Sequence, residues 1–201
     1  MNKLILTGVL LAGITLGVVF AFPNNSEVVV SEGKVEKIYN SLDELEKESP
    51  LIVIGKKIDG KSIFDRDEEG IPNYYFTLSD FEVKSVIKND TERVIDKKIT
   101  ILETAAYEEN HDQLLSVNGY LPMEDNKKYI LFLELNESEN GPSVGSYNIK
   151  GVVFGKFAFE EDKSERKRLE NNERKHYDHE VLEAHNSMIK VLEEKYSDYL
   201  N

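Results

Sequence analysis

From Leu4 to Phe22 the chain carries no charged residue. Such a stretch has no polar face to turn toward water, so it cannot supply an amphipathic element of a soluble domain. It divides the sequence into an apolar leader and a body of about 180 residues, enough for one ordinary domain. Lys3 gives the leader a positive start, and Val19-Phe20-Ala21 fits the small-residue pattern of a secretory cleavage site. The run exceeds the ~7–15 residues of an ordinary signal core and approaches the ~20 that span a bilayer. Gly8, Gly13, Gly17, Thr7 and Thr15 dilute it. Two readings of residues 1–22 therefore stand: a signal peptide cut after Ala21, or an N-terminal membrane anchor. Both place the body outside the cytoplasm, secreted or tethered to the outer face of the membrane.

The sequence holds no cysteine. That excludes lipid attachment at a lipoprotein cysteine, disulfides, thiol catalysis and Cys-ligated zinc. The body must stand on its hydrophobic core. The net charge is -13. This argues against nucleic acid as a partner, because that role needs a basic face to displace counterions. It argues equally against electrostatic adhesion to anionic lipid. Solubility accounts for the acidity, and capture of cations or basic partners is the sharper alternative.

Pro23-Asn24-Asn25-Ser26 reads as a linker and Glu27 to Val30 as a β-rich run. Ser41 with Glu44 forms a capping box, and Leu42 with Leu45 has helical spacing, so a short helix is expected there. Ser49-Pro50 ends it. Leu51 to Gly55 is a β-branched strand. Asp59-Gly60 carries a hairpin signal, and Asp65 to Pro72 an acidic loop. Tyr74 to Lys88 predicts a long strand, with Tyr75, Thr77, Phe81, Val83 and Ile87 on one parity. Phe76 and Leu78 break the alternation, so curvature or a bulge near Ser79-Asp80 is expected. Lys98 to Thr104, Lys128 to Leu135, Ser146 to Lys150 and Val152 to Phe159 supply further strands. Lys163 to Tyr199 contains no Gly or Pro and predicts one long helix. Its apolar positions (Tyr177, Val181, Ala184, Met188) suit docking on the domain better than a coiled coil, for which the stripe is too short.

Many short strands and few helices predict a mainly β fold. The expected form is a small OB-like barrel, closed or partly open, over residues 26–160. A short helix precedes it and a charged, amphipathic helix follows over 161–201. The succession of Leu42 and Leu45, Leu51 to Gly55, Tyr75 to Lys88, Ile99 to Ile101, Lys127 to Leu133 and Gly151 to Phe157 resembles the exported β-barrel proteins of Bacillus-type bacteria. Those are similar in turn to the OB-like barrel of netrin and metalloproteinase-inhibitor modules. The resemblance implies a fold and transfers no functional residue. Those inhibitors place an N-terminal cysteine on the protease zinc, and this chain has none.

Asp65, Asp67, Glu69 and Gly70 match the first half of a calcium-binding EF-hand loop. The twelfth position is Phe76, where a bidentate Glu is required. A weak calcium site on Asp65, Asp67 and Glu69 remains an expectation to test. His176 and His179 share a helical face without an HExxH context or an evident third ligand. No Gly-x-Ser-x-Gly elbow and no phosphate loop occur. Glu103 and the pair Glu108-Glu109 are the carboxylates best placed for hydrolytic chemistry. Tyr74, Tyr75, Phe76, Tyr107, Tyr120 and Tyr129 either build the core or line a face for peptide or glycan. The expectation is an exported, non-enzymatic binding or interaction module of the bacterial cell surface, with no required cofactor. The alternatives are a hydrolase using surface carboxylates and a weak calcium binder.

Overall fold

The computed structural model describes residues 26–31 and 37–200. The leader expected at 1–22 lies outside the described residues, and no described helix is long and apolar enough to cross a membrane. The fold is mainly β. The strands are β1 (Glu27–Ser31), β2 (Leu51–Arg66), β3 (Pro72–Asn89), β4 (Lys98–Glu103), β5 (Ala105–Glu108), β6 (Gln113–Val117), β7 (Lys128–Leu135), β8 (Tyr147–Ile149) and β9 (Lys156–Ala158). The helices are α1 (Leu42–Glu48), α2 (Lys163–Glu173) and α3 (His179–Lys195). A small sheet has the order β1-β6-β5, and a larger one the order β2-β3-β4-β8-β7-β9, with β2 paired to β7 as well.

Leu51 to Gly55 are all buried, because this half of β2 is flanked by β3 and β7 and packed on both faces. Ser41 caps α1 by accepting from the Glu44 amide at 3.2 Å, and the Glu44 carboxylate accepts from the Asn40 amide. Such a cap contributes about 1 kcal/mol. Leu42 and Leu45 are 2% and 0% exposed, and burying each stabilises the fold by about 1.5–3 kcal/mol. Phe132 and Phe157 meet edge to face at the centre of the core, with ring centroids 5.9 Å apart.

Three sequence expectations are corrected. Asp59-Gly60 is not a hairpin turn. It lies inside β2, where Asp59 pairs with Asp80 and Gly60 with Ser79 across a bulge that turns Ile58 outward. Gly60 is the residue that lets Ser79 approach, since a Cβ there would stand 3.1 Å from its hydroxyl. The turn falls instead at Asp67–Gly70, with Gly70 at φ +84°. The strand expected over Val152 to Phe159 shrinks to β9, because Gly151 and Val152 both take positive φ and coil the chain. The single C-terminal helix is two: α2 ends at Glu173, and Asp178 starts α3 by accepting from the Val181 amide at 2.9 Å. Tyr177, Val181, Met188, Leu192 and Tyr196 join the common core, so α3 is docked on the β-sheet body.

Candidate functional site

Two arrangements bring chemistry-bearing side chains together. The first is a charged cluster sealed inside the fold. Glu103, at the end of β4, is fully buried. Its Oε2 accepts from the Tyr120 hydroxyl and the Met123 amide, each at 2.7 Å, and its Oε1 accepts from the Ser79 hydroxyl. The Lys57 ammonium lies 3.7 Å from the same carboxylate, donates to the Met123 carbonyl at 2.8 Å, and sits 3.3 Å from Asp125. A buried carboxylate needs this kind of enclosure, because an unpaired charge in the interior costs several kcal/mol. Desolvation, followed by the charge of Glu103, pushes the Tyr120 hydroxyl far above its ordinary pKa, so it acts as a donor and not as a base.

Lys156 of β9 extends the cluster toward the helices. Its ammonium pairs with Glu173 of α2 at 3.2 Å, donates to the Leu121 carbonyl, and stands 4.3 Å from the Tyr120 ring centroid. Burial raises the Glu173 carboxyl, with the nearby Lys156 charge opposing the rise. His185 of α3 stacks on Phe157 at 4.5 Å, and burial depresses its imidazole to about 3. Glu103 was legible in the sequence as a carboxylate at a strand end. Lys57 and Lys156 were not, because inward lysines on strands carry no motif.

The second arrangement is an apolar face on the outer side of the β2–β3 hairpin. Ile63 pairs with Phe76 and Leu78 with Leu102, so these four share one side of the sheet. Tyr74 lies on the same side, 47% exposed and stacked on Phe76 with centroids 5.8 Å apart. The opposite side of this hairpin is covered by the small sheet: Thr77 donates to the Ala105 carbonyl, Ser62 accepts from the Tyr107 amide, and Tyr75 bonds Ser31. Tyr120 and Tyr129 are core residues, fully buried. The aromatic set read from the sequence therefore divides into three: Tyr120 and Tyr129 in the core, Tyr74 and Phe76 on the outer face, and Tyr75 and Tyr107 at the half-buried contact between hairpin and small sheet.

Asp65, Asp67 and Glu69 sit at the tip of the hairpin. Asp67 Oδ1 accepts from the Glu69 and Ile71 amides, and Asp65 accepts from Asn73. Among the described residues, no group of three or more His, Asp and Glu side chains is disposed to hold a metal ion. Glu108 pairs with Arg66 and with His111, which lies 3.2 Å away. His176 lies in the turn between α2 and α3 and so shares no helical face with His179, which is exposed beside Glu183; His185 is in the core. A shallow recess lined by Glu46, Lys47, Ile52, Ile87, Lys88 and Tyr196 opens between α1 and the start of β2. Its floor is fixed by Tyr196 donating to Glu46 at 2.6 Å and Lys195 pairing with the same carboxylate at 2.5 Å. No protein-family model matches the chain, and no curated protein matches it.

Proposed function

We propose that this chain is an exported, non-enzymatic binding module of the bacterial cell surface, built on an OB-like barrel. The strand pairings support the barrel. They run from β2 to β3, β4, β8 and β7 and return to β2, with the β4–β8 step parallel and the others antiparallel. Five strands in a Greek-key circuit are the OB pattern. The apolar leader supports export, by a cleaved signal or by a retained anchor.

The observation that carries the binding reading is the outer face of the hairpin, where Ile63, Tyr74, Phe76, Leu78 and Leu102 share one side of the sheet. Tyr74 is exposed there, the other four are half-buried, and Lys61 and Asp65 stand on the same side; apolar side chains left partly open to solvent among charges suit an interaction site. The hydrolase alternative has less support, because Glu103 is enclosed by donors and Glu108 is held between Arg66 and His111.

The test is co-sedimentation of the protein without residues 1–22, so that the leader cannot carry it, with purified envelope of its own bacterium. The Phe76→Lys/Leu78→Lys variant is expected to bind at least about ten-fold more weakly, a loss of ~1.4 kcal/mol. Val94→Lys, at a position 90% exposed on a different loop, is expected to bind like the parent. Equal retention of all three, with unchanged circular dichroism, would remove this face from the function.

A further inference from the structure

We infer that the hairpin-turn end of the molecule, Asp67 to Ile71 with the neighbouring Glu109–His111 turn, rests against the outer leaflet of the membrane. This rests on the reading of residues 1–22 as a retained anchor. Ser26 stands four residues beyond Phe22, and a fully extended chain covers at most about 14 Å over that separation. The start of β1 must therefore lie close to the point where the apolar run leaves the bilayer.

Ser26 is fixed to one particular end of the fold. Its hydroxyl donates to Asp112 at 2.9 Å, and the Tyr107 hydroxyl donates to the same oxygen at 2.6 Å. The adjacent Glu108 pairs with Arg66, and Arg66 donates to the Gly70 carbonyl at 2.8 Å. These contacts tie the start of β1, the Glu109–His111 turn and the tip of the β2–β3 hairpin into one surface. At that tip Ile71 is 57% exposed, and Tyr74 follows it on the outer face. Tyrosine is enriched at the headgroup boundary, and an exposed isoleucine beside it gains by leaving water. The other end of the hairpin lies where Leu51 pairs with Asn89, up to about 50 Å away along an extended strand and less along this bulged one. Next to it stand α1, α3 and the loop bearing Val94.

The tip also carries Asp67, Glu68, Glu69 and Glu109. Anionic headgroups repel such residues within a Debye length of about 8–10 Å. The contact is therefore held by the tether, with Ile71 the one large apolar side chain of the Asp67–Ile71 turn. It is closest on neutral lipid, and on anionic lipid it tightens as salt is added, the reverse of a basic peripheral protein.

The absence of cysteine makes the test direct. Ile71→Cys, Asn110→Cys, Val94→Cys and Val191→Cys, each in the full-length chain, give single sites for a fluorophore. The proteins are placed in phosphatidylcholine vesicles containing a headgroup spin-labelled lipid. Quenching is expected to be several-fold stronger at 71 and 110 than at 94 and 191. If the chain floats with the vesicles and the four sites quench equally, or in the opposite order, the placement is overturned while the anchor stands. If the chain does not float with the vesicles, the anchor reading is lost and the placement falls with it.

Discussion

The Lys156 ammonium and the Glu173 carboxylate meet at 3.2 Å in the seam between β9 and α2, 0% and 4% exposed. They couple the C-terminal helices to the β-sheet body. Removing one partner leaves the other as a buried, uncompensated charge, which costs about 3–5 kcal/mol, whereas replacing both by apolar residues of similar size is close to neutral. Glu173→Leu is therefore expected to lower stability by about 3 kcal/mol or more. Lys156→Met/Glu173→Leu is expected to recover most of that loss. A urea-denaturation double-mutant cycle measures the coupling. A double variant as unstable as the single one would show that the ion pair is not the source of the effect.

Glu103 is expected to matter for folding. Its carboxylate accepts three hydrogen bonds and lies beside Lys57. Glu103→Ala strands the Ser79 and Tyr120 hydroxyls and the Met123 amide, leaves Lys57 its contacts with Asp125 and the Met123 carbonyl, and is expected to cost about 3–5 kcal/mol. Glu103→Gln keeps the shape but loses the charge facing Lys57, and should fall between the parent and the alanine variant. Envelope binding per folded molecule should not change in either. A large loss of binding in Glu103→Gln at full folding would give this carboxylate a functional role.

His185 sets a pH dependence with a definite sign. Its imidazole is depressed to about 3, first by burial and then by the charges of Arg174 and Lys156. The unfolded chain therefore binds more protons than the folded one between about pH 6.5 and 3. The contribution of His185 is fully present above pH 6.5 and declines as pH falls toward 3, by about 2 kcal/mol at pH 5. Glu173 acts in the opposite sense. Its raised carboxyl makes the folded state the better proton binder between its folded value and the ordinary range, so mild acid favours folding through that group. The comparison that isolates His185 is the parent against His185→Phe, since Glu173 is common to both. Stability of the variant is expected to fall less between pH 7 and 5. Parallel curves would mean that His185 is not buried as a neutral ring.

Much of the strand layout was legible because the signals are local. The apolar run Lys128–Leu135 is β7, and the alternation after Tyr74 is β3. What stayed hidden depends on contacts distant in sequence. Asp59-Gly60 has turn chemistry, but pairing with Asp80 and Ser79 carries β2 straight through it. Ala105–Glu108 and Gln113–Val117 have no strong β pattern and become strands by pairing with each other and with β1. Asp178 is a helix cap whose signal drowned in a charge-rich stretch. In the buried cluster, Glu103 stood out at a strand end. Its partners Tyr120 and Met123 come from the connection before β7, and no spacing rule links them to it.

The break between α2 and α3 gives the last prediction. Gly119 has φ +76°, and a Cβ there would stand 2.3 Å from the His176 carbonyl oxygen and 2.6 Å from its carbonyl carbon. The neighbour is backbone and cannot swing aside, so the helix link is laid directly on the Asn118-Gly119 turn. Gly145 supplies the control: its φ is +78°, and a Cβ added there would meet nothing within 4 Å. Gly145→Ala meets only the left-handed backbone strain, about 1 kcal/mol. Gly119→Ala meets the same strain plus a backbone clash, and is expected to cost at least about 2 kcal/mol more. The loss should concentrate in the helices. Amide exchange in α2 and α3 is expected to quicken before that in β2 and β7, because the substitution pushes the 174–178 link off its seat. Uniform loss of protection across sheet and helices would mean that the helical pair unfolds only with the whole domain.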